Sequence, residues 1–442
     1  MTNRNIAQIL VQPINKFIRN ESSAGIILFL SALIAMLWAN SAWKESYHHL
    51  WEIPLSISLG DFEIKKTLHH WINDGLMAVF FFVIGLELKR EVVGGELSEP
   101  KNAILPIAAG VGGMLVPAAI FIALNHTPEA AAGWGIPMAT DIAFALGIMS
   151  LLGERVPVSL KVFLTALAIA DDLGAVLVIA FFYTSQIDLL SLITGIGFLG
   201  LLLTANLMGI RKTLIYGILG IGGLWIAFLL SGVHATIAGV LAALTIPAST
   251  KVNEQEFSQD MEELIQRFRE ADPNNSPLIT AEQLHILEAM KKTCAAAETP
   301  LQKLEHGMHG LVAYIVMPIF ALANAGIELG ENLLQQGFTP LTLAVAVGLI
   351  LGKLLGITAA VGLLVKTGIA ELPPKTSWMH IIGVACLAGI GFTMSLFIAE
   401  LAYEDLQLIN QAKLGVLMAS IVAGLIGYFI LQRAATGSTA QS

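Results

Sequence analysis

The stretch Leu167–Ala180, LAIADDLGAVLVIA, places two adjacent carboxylates inside an otherwise apolar run. A charged Asp at the centre of a bilayer costs roughly 2.5 to 3.5 kcal/mol on the mildest insertion scales. Asp171 and Asp172 incur that cost twice, and their mutual repulsion adds to it. Because intramembrane charges usually mark ion or proton pathways, the stretch predicts a functional site inside a membrane-spanning helix.

The composition of the whole chain is that of a membrane protein. Hydrophobic residues make up 55% of the 442 residues and charged residues only 13%, with a mean hydropathy of +0.74. A soluble domain would carry roughly 25% charged residues. Apolar stretches of about 17 to 23 residues recur along the chain, each long enough to cross the bilayer as a helix, whereas a barrel would show short alternating strands. The sequence therefore predicts an all-α polytopic membrane protein surrounded by lipid, with no nucleic-acid partner.

Twelve transmembrane helices are expected, and the distribution of Lys and Arg orients them. The spans are centred near residues 32, 82, 113, 144, 171, 199, 221, 240, 318, 348, 388 and 420. Basic residues are frequent in the loops on one side, starting with Arg4, Lys16 and Arg19 before the first span. The opposite loops are assigned only Lys44, Lys65, Lys66 and Lys413. By the positive-inside rule, both termini are expected in the cytoplasm.

Residues 1–442 are interpreted as a single transporter domain with two distinctive loops. In the first, residues 45–68, the segment WEIPLSISLGDFEIKKT alternates apolar and polar residues around Gly60 and Asp61. This pattern predicts a short β-hairpin, located outside the cell by the orientation above. Because a lone hairpin is only marginally stable in water, it is expected to pack on the membrane domain or to pair with a second subunit in a homodimer.

The second loop, residues 249–309, is the one sizeable polar segment and is expected on the cytoplasmic side. Five apolar residues fall on one face of a short predicted helix: Phe257, Met261, Leu264, Ile265 and Phe268. PNNSP at 273–277 then breaks the chain, and Thr280 with Gln283 resembles a capping box that opens a second helix. Two interpretations remain open, namely amphipathic helices lying on the membrane or the protein, and a regulatory module with an unknown partner.

Four ionisable residues lie well inside predicted spans: Asp141, Asp171, Asp172 and Lys353. A buried ion pair that only orients helices is one explanation, and an ion pathway is the other. Adjacent residues on a helix point about 100° apart, so Asp171 and Asp172 cannot chelate one ion symmetrically. One can face an aqueous cavity while the other faces a neighbouring helix. Since like charges this close favour retention of a proton, the pair can hold either a proton or a hard cation.

Two of the predicted spans are interrupted. In GWGIPMATDIAFALG, Gly135, Pro137 and Thr140 argue against a continuous helix, although a simple proline kink is the alternative. A break there exposes carbonyl and hydroxyl oxygens of the kind sodium prefers. CLAGIGFTMSLF, around Gly389 and Gly391, is interrupted at a corresponding place in the second half. Paired interruptions of this kind indicate a transporter site at the bilayer midplane.

A set of motifs makes a resemblance explicit. ATDIAFALG, LTALAIADDLGAVLVIAFFYT, SGVHATIAGV, MPIFALANAGI, GKLLGI and GIGFTMSLFIA together resemble the NhaA family of bacterial sodium/proton antiporters, in order from about Asn15 to the last span. The resemblance implies a bacterial inner-membrane transporter that is not an enzyme, needs no cofactor and moves Na+ or Li+ against H+. It also implies inverted repeats, two discontinuous helices crossing at mid-membrane, electrogenic exchange and activation at alkaline pH.

The same resemblance assigns roles to the buried residues. Asp172 matches the principal cation-binding carboxylate, and Asp171 matches its neighbour, which pairs with Lys353, so that sodium binds at Asp171 and Asp172. Asp141 and Thr140 match residues at the crossing of the broken helices. A further acidic residue on the path from the outside is matched by Asp74 in WINDGLMAVFF.

The resemblance also implies a pH-responsive group at the cytoplasmic mouth. Its members in this chain are Glu87, Lys89, Arg90 and Glu91 in GLELKRE, and Glu305, His306 and His309 in KLEHGMH. His234 in SGVHAT matches a further histidine tied to the pH response. Positive-inside anchoring by Lys89 and Arg90, and helix packing by His234, are the alternatives. The inner loop is about forty residues longer than in the family members on which the resemblance rests, so the resemblance does not extend to the pH set point or to a partner at the cytoplasmic face.

Two other functions use buried carboxylates. An intramembrane aspartyl protease needs two aspartates on different helices that share a proton. The GxGD signature is absent, and only Asp141 could oppose Asp171 or Asp172. A passive cation channel is the other alternative, and proton-dependent sodium movement against a gradient would separate it from an antiporter. The sequence does not distinguish sodium, lithium and potassium.

Overall fold

A computed structural model describes residues 21–60, 62–184, 187–271, 278–328 and 339–438. The expectations that rest on Arg4, Lys16, Arg19, Asp61 and the segment 273–277, and the position of both chain ends, lie outside these residues. The helices, in chain order, are α1 Glu21–Ala39, α2 Lys44–Glu52, α3 Leu68–His70, α4 Met77–Gly94, α5 Pro100–Leu124, α6 Ile142–Leu151, α7 Val158–Phe182, α8 Leu189–Leu207, α9 Thr213–Leu219, α10 Ile226–Ser231, α11 Ala235–Thr245, α12 Glu254–Glu270, α13 Ala281–Ala297, α14 Pro300–Leu311, α15 Met317–Asn324, α16 Pro340–Val347, α17 Lys353–Lys366, α18 Trp378–Leu387, α19 Phe392–Ala402 and α20 Leu406–Ser438.

Short irregular helices join several of these elements. Turns of π-helix connect consecutive α-helices at Trp71–Leu76, Gly220–Trp225, Val312–Val316 and Gly348–Gly352, and 3-10 helices cover Glu96–Ser98, Pro128–Met138 and Gly153–Arg155. A π turn keeps the axis continuous while adding one residue, and such turns are frequent at functional sites. The last of the π turns ends directly before Lys353.

The fold is that of a polytopic helical membrane protein. Seven helices of the described residues are long and apolar enough to cross a membrane, and up to ten spans result if each bent pair of helices counts as one. Two of the twelve predicted spans fall outside this set for physical reasons. The charged residues Glu87, Lys89, Arg90 and Glu91 lie in α4, and α11 has only 11 residues.

Both interruptions expected from the sequence are present. The 3-10 helix Pro128–Met138 and α6 meet at 45°, and α18 and α19 meet at 44°. The first break, residues 139–141, directly follows the helix that contains Pro137, and the second, 388–391, contains Gly389 and Gly391. The two breaks touch, because the Asp141 backbone N–H donates to the carbonyl oxygen of Ile390 at 2.6 Å.

The hairpin predicted in the first loop is confirmed. Strands β1 (Pro54–Leu59) and β2 (Phe62–Thr67) pair antiparallel, with Leu59 opposite Phe62. Gly60 begins the turn with a φ of 62°, a left-handed conformation that glycine adopts without strain.

The long polar loop contains two helices that pack on each other. The contact between α12 and α13 buries Leu264, Ala271 and Ile286. The capping box at the start of α13 is confirmed, because Gln283 N donates to Thr280 Oγ1 and Thr280 N donates to Gln283 Oε1, both at 3.2 Å. On the predicted apolar face of α12, Ile265 is exposed, since α13 covers Leu264 and Phe268 instead.

One residue assigned to a loop lies elsewhere. Lys413 is the eighth residue of α20, and only 6% of it is exposed. Lys413 resembled a loop residue because the stretch of sequence around it contains several other polar residues.

Glycine allows α17 to approach α5 closely, and this contact positions Lys353. A Cβ added to Gly112 of α5 would lie 2.5 Å from the carbonyl oxygen of Gly356 in α17, and a Cβ added to Gly356 would lie 2.1 Å from the carbonyl oxygen of Gly112. Neither backbone can yield, so both positions require glycine.

We expect Gly356→Ala to destabilise the protein by about 1 to 3 kcal/mol, the usual cost of forcing an extra methyl into a packed contact. Thermal unfolding in detergent measures this as a lower midpoint temperature. Gly362→Ala on the same helix is the matched control, because the nearest atom to its Cβ would be 3.8 Å away. Equal midpoints for the two variants would contradict the close-packing account.

Candidate functional site

Asp171 and Lys353 form an ion pair that is completely buried. Lys353 Nζ donates to Asp171 Oδ2, and both side chains are 0% exposed. Thr140 Oγ1 lies 2.7 Å from the same carboxylate oxygen and 2.9 Å from the carbonyl oxygen of Ala388. The hydroxyl therefore joins the first break, the second break and the carboxylate of α7.

Asp141 connects the two interrupted segments. As the N-cap of α6, it accepts a hydrogen bond from the backbone N–H of Phe144 at 3.1 Å. Its other oxygen accepts from the backbone N–H of Thr393 at 3.0 Å, near the start of α19, and from the Thr393 hydroxyl. The carboxylate is thus placed at two helix N-termini, where the partial positive charge of each helix stabilises an anion.

Asp172 is buried without comparable compensation. Only 2% of the residue is exposed, and Asp172 Oδ1 and Asp171 Oδ1 have no hydrogen-bond partner among the described residues. A buried carboxylate oxygen without a partner pays the full desolvation cost. These two oxygens are therefore the atoms of the site best suited to accept a proton or a hard cation.

Glycine permits the close contacts of the second break. A Cβ at Gly389 would lie 2.8 Å from the carbonyl oxygen of Leu349, and one at Gly391 would lie 3.1 Å from that of Ala139. Leu349 belongs to the π turn Gly348–Gly352. Pro137 packs on this turn too, because a Cβ at Gly348 would lie 2.9 Å from the Pro137 ring. The structure thus brings together the predicted residues Asp141, Asp171, Asp172, Lys353 and Thr140 with these glycines and proline.

The group predicted to respond to pH is only partly assembled. Arg90 forms ion pairs with Glu91 at 2.7 Å and with Glu305 at 2.8 Å, which tie α4 to α14. Glu87 lies on α4 one turn before these residues.

Three members of that group lie apart from the Arg90 ion pairs. Lys89 Nζ donates to the carbonyl oxygen of Leu244 at 2.7 Å and also to that of Ile246, so it caps the end of α11. His306 and His309 are exposed on α14. The described residues contain no group of three or more His, Cys, Asp or Glu side chains that could hold a metal ion.

Asp74 and His234 lie away from the buried carboxylates. Asp74 is in the π turn before α4, where its carbonyl oxygen accepts from Trp225 Nε1 at 3.3 Å. His234 Nε2 lies 2.7 Å from the carbonyl oxygen of Tyr183, at the start of α11. This contact fits the helix-packing alternative for His234, and the path and pH roles of the two residues stay predictions.

Sequence reasoning missed a buried ion pair between Lys413 and Glu400, whose charged atoms are 2.6 Å apart. It also missed the side-chain contacts of Asn73, Asn324 and His69. Glu400 stands near the end of the run FTMSLFIAELA, where a charge resembles an ordinary span boundary. An additional signal was available in Asn324, a polar residue inside the apolar run MPIFALAN.

A polytopic membrane protein whose two broken helices meet at buried carboxylates and a buried lysine has the architecture of a secondary ion transporter. Comparison with known proteins identifies the family. The family model described as Na+/H+ antiporter 1 matches residues 15–431. The chain therefore belongs to this antiporter family.

Relatives support the assignment over nearly the whole length. The Na+/H+ antiporter NhaA of Oleidesulfovibrio alaskensis is 49% identical over 96% of this chain and 94% of its own. NhaA 1 of Saccharophagus degradans is 48% identical over 96% and 92%, respectively. The NhaA protein of Koribacter versatilis is 46% identical over 98% and 94%.

Replacing Lys353 by Met should leave Asp171 as an unpaired buried charge at alkaline pH, at a cost of about 3 to 5 kcal/mol. Thermal unfolding in detergent should show a strong loss of stability for the single variant. The double variant Asp171→Asn with Lys353→Met should recover most of the loss, because it removes both charges. A single variant as stable as the unmodified protein would show that the pair is not electrostatically coupled.

Proposed function

We propose that this antiporter exchanges Na+ or Li+ for H+ across the bacterial inner membrane, with cation and proton competing for Asp171 and Asp172. It is a transporter and not an enzyme. The observation that carries the proposal is the pair of unpartnered buried oxygens, one on each aspartate, next to Lys353 and the two helix breaks. Hard oxygen ligands suit alkali cations, and the same oxygens accept protons.

The exchange cycle follows from the charges of the site. At alkaline pH, Asp172 is ionised, and the free oxygens of both aspartates attract a cation. Arrival of the cation weakens the hold of Asp171 on Lys353, so the ammonium is free to release a proton. After the site opens to the other side, protons return and displace the cation. Asp172 and Lys353 each carry a proton. More protons than cations therefore move in each cycle, and the exchange is electrogenic.

The topology that fits this cycle has twelve transmembrane helices in inverted repeats, with the broken segments crossing at mid-membrane. In this arrangement both termini and the 249–309 segment are cytoplasmic, and the 45–68 loop with its hairpin is outside. Residues 1–442 form one transporter domain. Contact between the two breaks, through Asp141 and Ile390, supports the crossing.

A homodimer through the hairpin is part of the proposal. The sheet has two strands, so each strand keeps one edge unpaired. On β1, Leu55 and Ile57 are 47% and 54% exposed, an apolar surface that a second copy would cover. The surrounding membrane lipid covers the remaining apolar surface of the bundle.

Regulation by pH is assigned to the cytoplasmic mouth. The Arg90 ion pairs connect α4 to α14, and α14 directly follows the 249–309 segment's helical pair, α12 and α13. Loss of negative charge around Arg90, where Glu87, Glu91 and Glu305 lie, would loosen this connection, and His306 and His309 are exposed on the same helix as Glu305. A partner bound to α12 and α13 would act on the same connection.

The site geometry favours an antiporter over a protease. A protease needs two aspartates that share a proton, but Asp171 is paired with Lys353 and Asp141 is occupied by the ends of two helices. A passive channel has no need of a lysine that competes with the cation for a carboxylate.

Asp172→Asn should abolish sodium-driven proton movement while leaving the protein folded, because it removes the charge that no protein group compensates. Sodium-induced dequenching of a pH-sensitive dye in vesicles measures the exchange. Asp188→Asn is the control, since Asp188 is exposed and serves as the N-cap of α8. Exchange at the normal rate in Asp172→Asn would refute the assignment.

The apparent affinity for sodium should fall as the pH is lowered. Protonation removes the charge that binds the cation, so the KM for sodium should rise about tenfold per pH unit once one competing proton is bound. At a pH high enough for the competing carboxylates to be fully ionised, the KM for sodium should become constant. Initial exchange rates measured across sodium concentrations at several pH values test this, and a KM independent of pH would exclude competition at a shared site.

A further inference from the structure

A second buried polar cluster lies at the end of the bundle that carries the β-hairpin. Lys413 Nζ and Glu400 Oε1 are 2.6 Å apart, and their side chains are 8% and 14% exposed. His69 Nε2 lies 3.1 Å from Asn324 Oδ1, and Asn324 Nδ2 donates to Asn73 Oδ1 at 2.9 Å. Glu400 also interacts electrostatically with His69. We call these five residues the hairpin-end cluster.

An aromatic layer is located between this cluster and the carboxylate site. Phe81 of α4, Phe320 of α15 and Phe397 of α19 are at most 1% exposed. The Phe397 ring centroid lies 5.7 Å from that of Phe81 and 6.1 Å from that of Phe320. Three helices therefore contribute buried aromatic side chains that contact one another at Phe397.

One face of α19 reaches the carboxylate site, the aromatic layer and the hairpin-end cluster. Thr393, Phe397 and Glu400 have the spacing that places residues on the same side of a helix. Seven helical steps separate Thr393 from Glu400, a rise of about 10 Å. Thr393 donates to Asp141, Phe397 belongs to the aromatic layer, and Glu400 pairs with Lys413. A shift of α19 at the carboxylate site would therefore move the aromatic layer and the ion pair together.

We propose that the hairpin-end cluster and the aromatic layer form a gate that closes the ion path on the hairpin side, with the Glu400–Lys413 pair as its latch. The proposal rests on the exchange function, since alternating access requires the site to close on one side at a time. A buried ion pair suits a latch because it is stable only when both partners keep their geometry, and separating them is costly. When the gate opens, Glu400 loses its lysine and becomes a free carboxylate that attracts the cation.

The test measures access to the aromatic layer from the hairpin side. Ala323 is next to Asn324 and 6% exposed, and Ala323→Cys is introduced into full-length protein in which Cys294→Ser and Cys386→Ala remove the native thiols. Reconstituted vesicles are treated with a membrane-impermeant maleimide without sodium. Glu400→Gln should raise the labelling rate at least about fivefold, the lower end of typical couplings between sites.

Two further variants separate a latch from a structural contact. Glu404→Gln removes an exposed carboxylate just beyond α19 and should leave the labelling rate unchanged. The charge swap Glu400→Lys with Lys413→Glu should restore slow labelling. A latch also predicts that Glu400→Gln changes the sodium KM in opposite directions at the two membrane faces, whereas a structural role would lower exchange equally from both.

Labelling of Glu400→Gln at the unmodified rate overturns the gate. If that variant does not accumulate, Lys413→Met takes its place with the same expectation. Failure of both variants to fold, while Glu404→Gln folds, makes the pair a structural strut and also overturns the proposal. Exchange by the unmodified protein is measured in the same vesicles, so a failed gate with normal exchange is distinguished from a failed exchange function.

Discussion

A carboxylate removed from water must be neutralised, and this requirement organises the centre of the protein. The three buried aspartates meet it in three ways. Asp141 is stabilised by the N-termini of two helices, and Asp171 by Lys353 and Thr140. No comparable group among the described residues stabilises the charge of Asp172, so a bound proton or cation has to neutralise it. The imbalance makes the site responsive, because only a mobile ion can complete it.

The two helix breaks contribute to the neutralisation of these carboxylates. A continuous helix could not present its N-terminal N–H groups to Asp141 within the bundle, because those groups would be bonded internally. Interrupting two spans creates two such termini at one place, and glycines at 389 and 391 let the π turn of the neighbouring span approach them. The fold of the broken segments and the charge state of the site therefore depend on the same contacts. The contacts that hold the broken segments together also stabilise the charges, and α19 extends from them to the hairpin end.

Much of this was predictable from the sequence because charges in apolar runs are conspicuous. Asp171, Asp172, Asp141 and Lys353 stand out against hydropathy alone, and the hairpin and both helix breaks follow from alternation and from glycine and proline. The residues alone did not decide which aspartate pairs with Lys353, since neighbours on a helix differ only in rotation. That assignment came from the resemblance to the antiporter family, and the geometry agrees with it.

Other features depend on tertiary contacts that no local pattern encodes. Lys89 and Arg90 are adjacent, yet Lys89 caps α11 while Arg90 binds Glu305, because their directions on α4 differ. Lys413 resembles a loop residue until Glu400 is found beside it.

The central claim is that one anionic pocket holds either protons or an alkali cation. The direct measurement is the number of protons released when sodium binds to the purified protein in weakly buffered detergent solution at alkaline pH. We predict release of at least one proton per bound sodium, with weaker binding in more acidic solution. Sodium binding without proton release, and with the same Kd in acid and alkaline buffer, would contradict it.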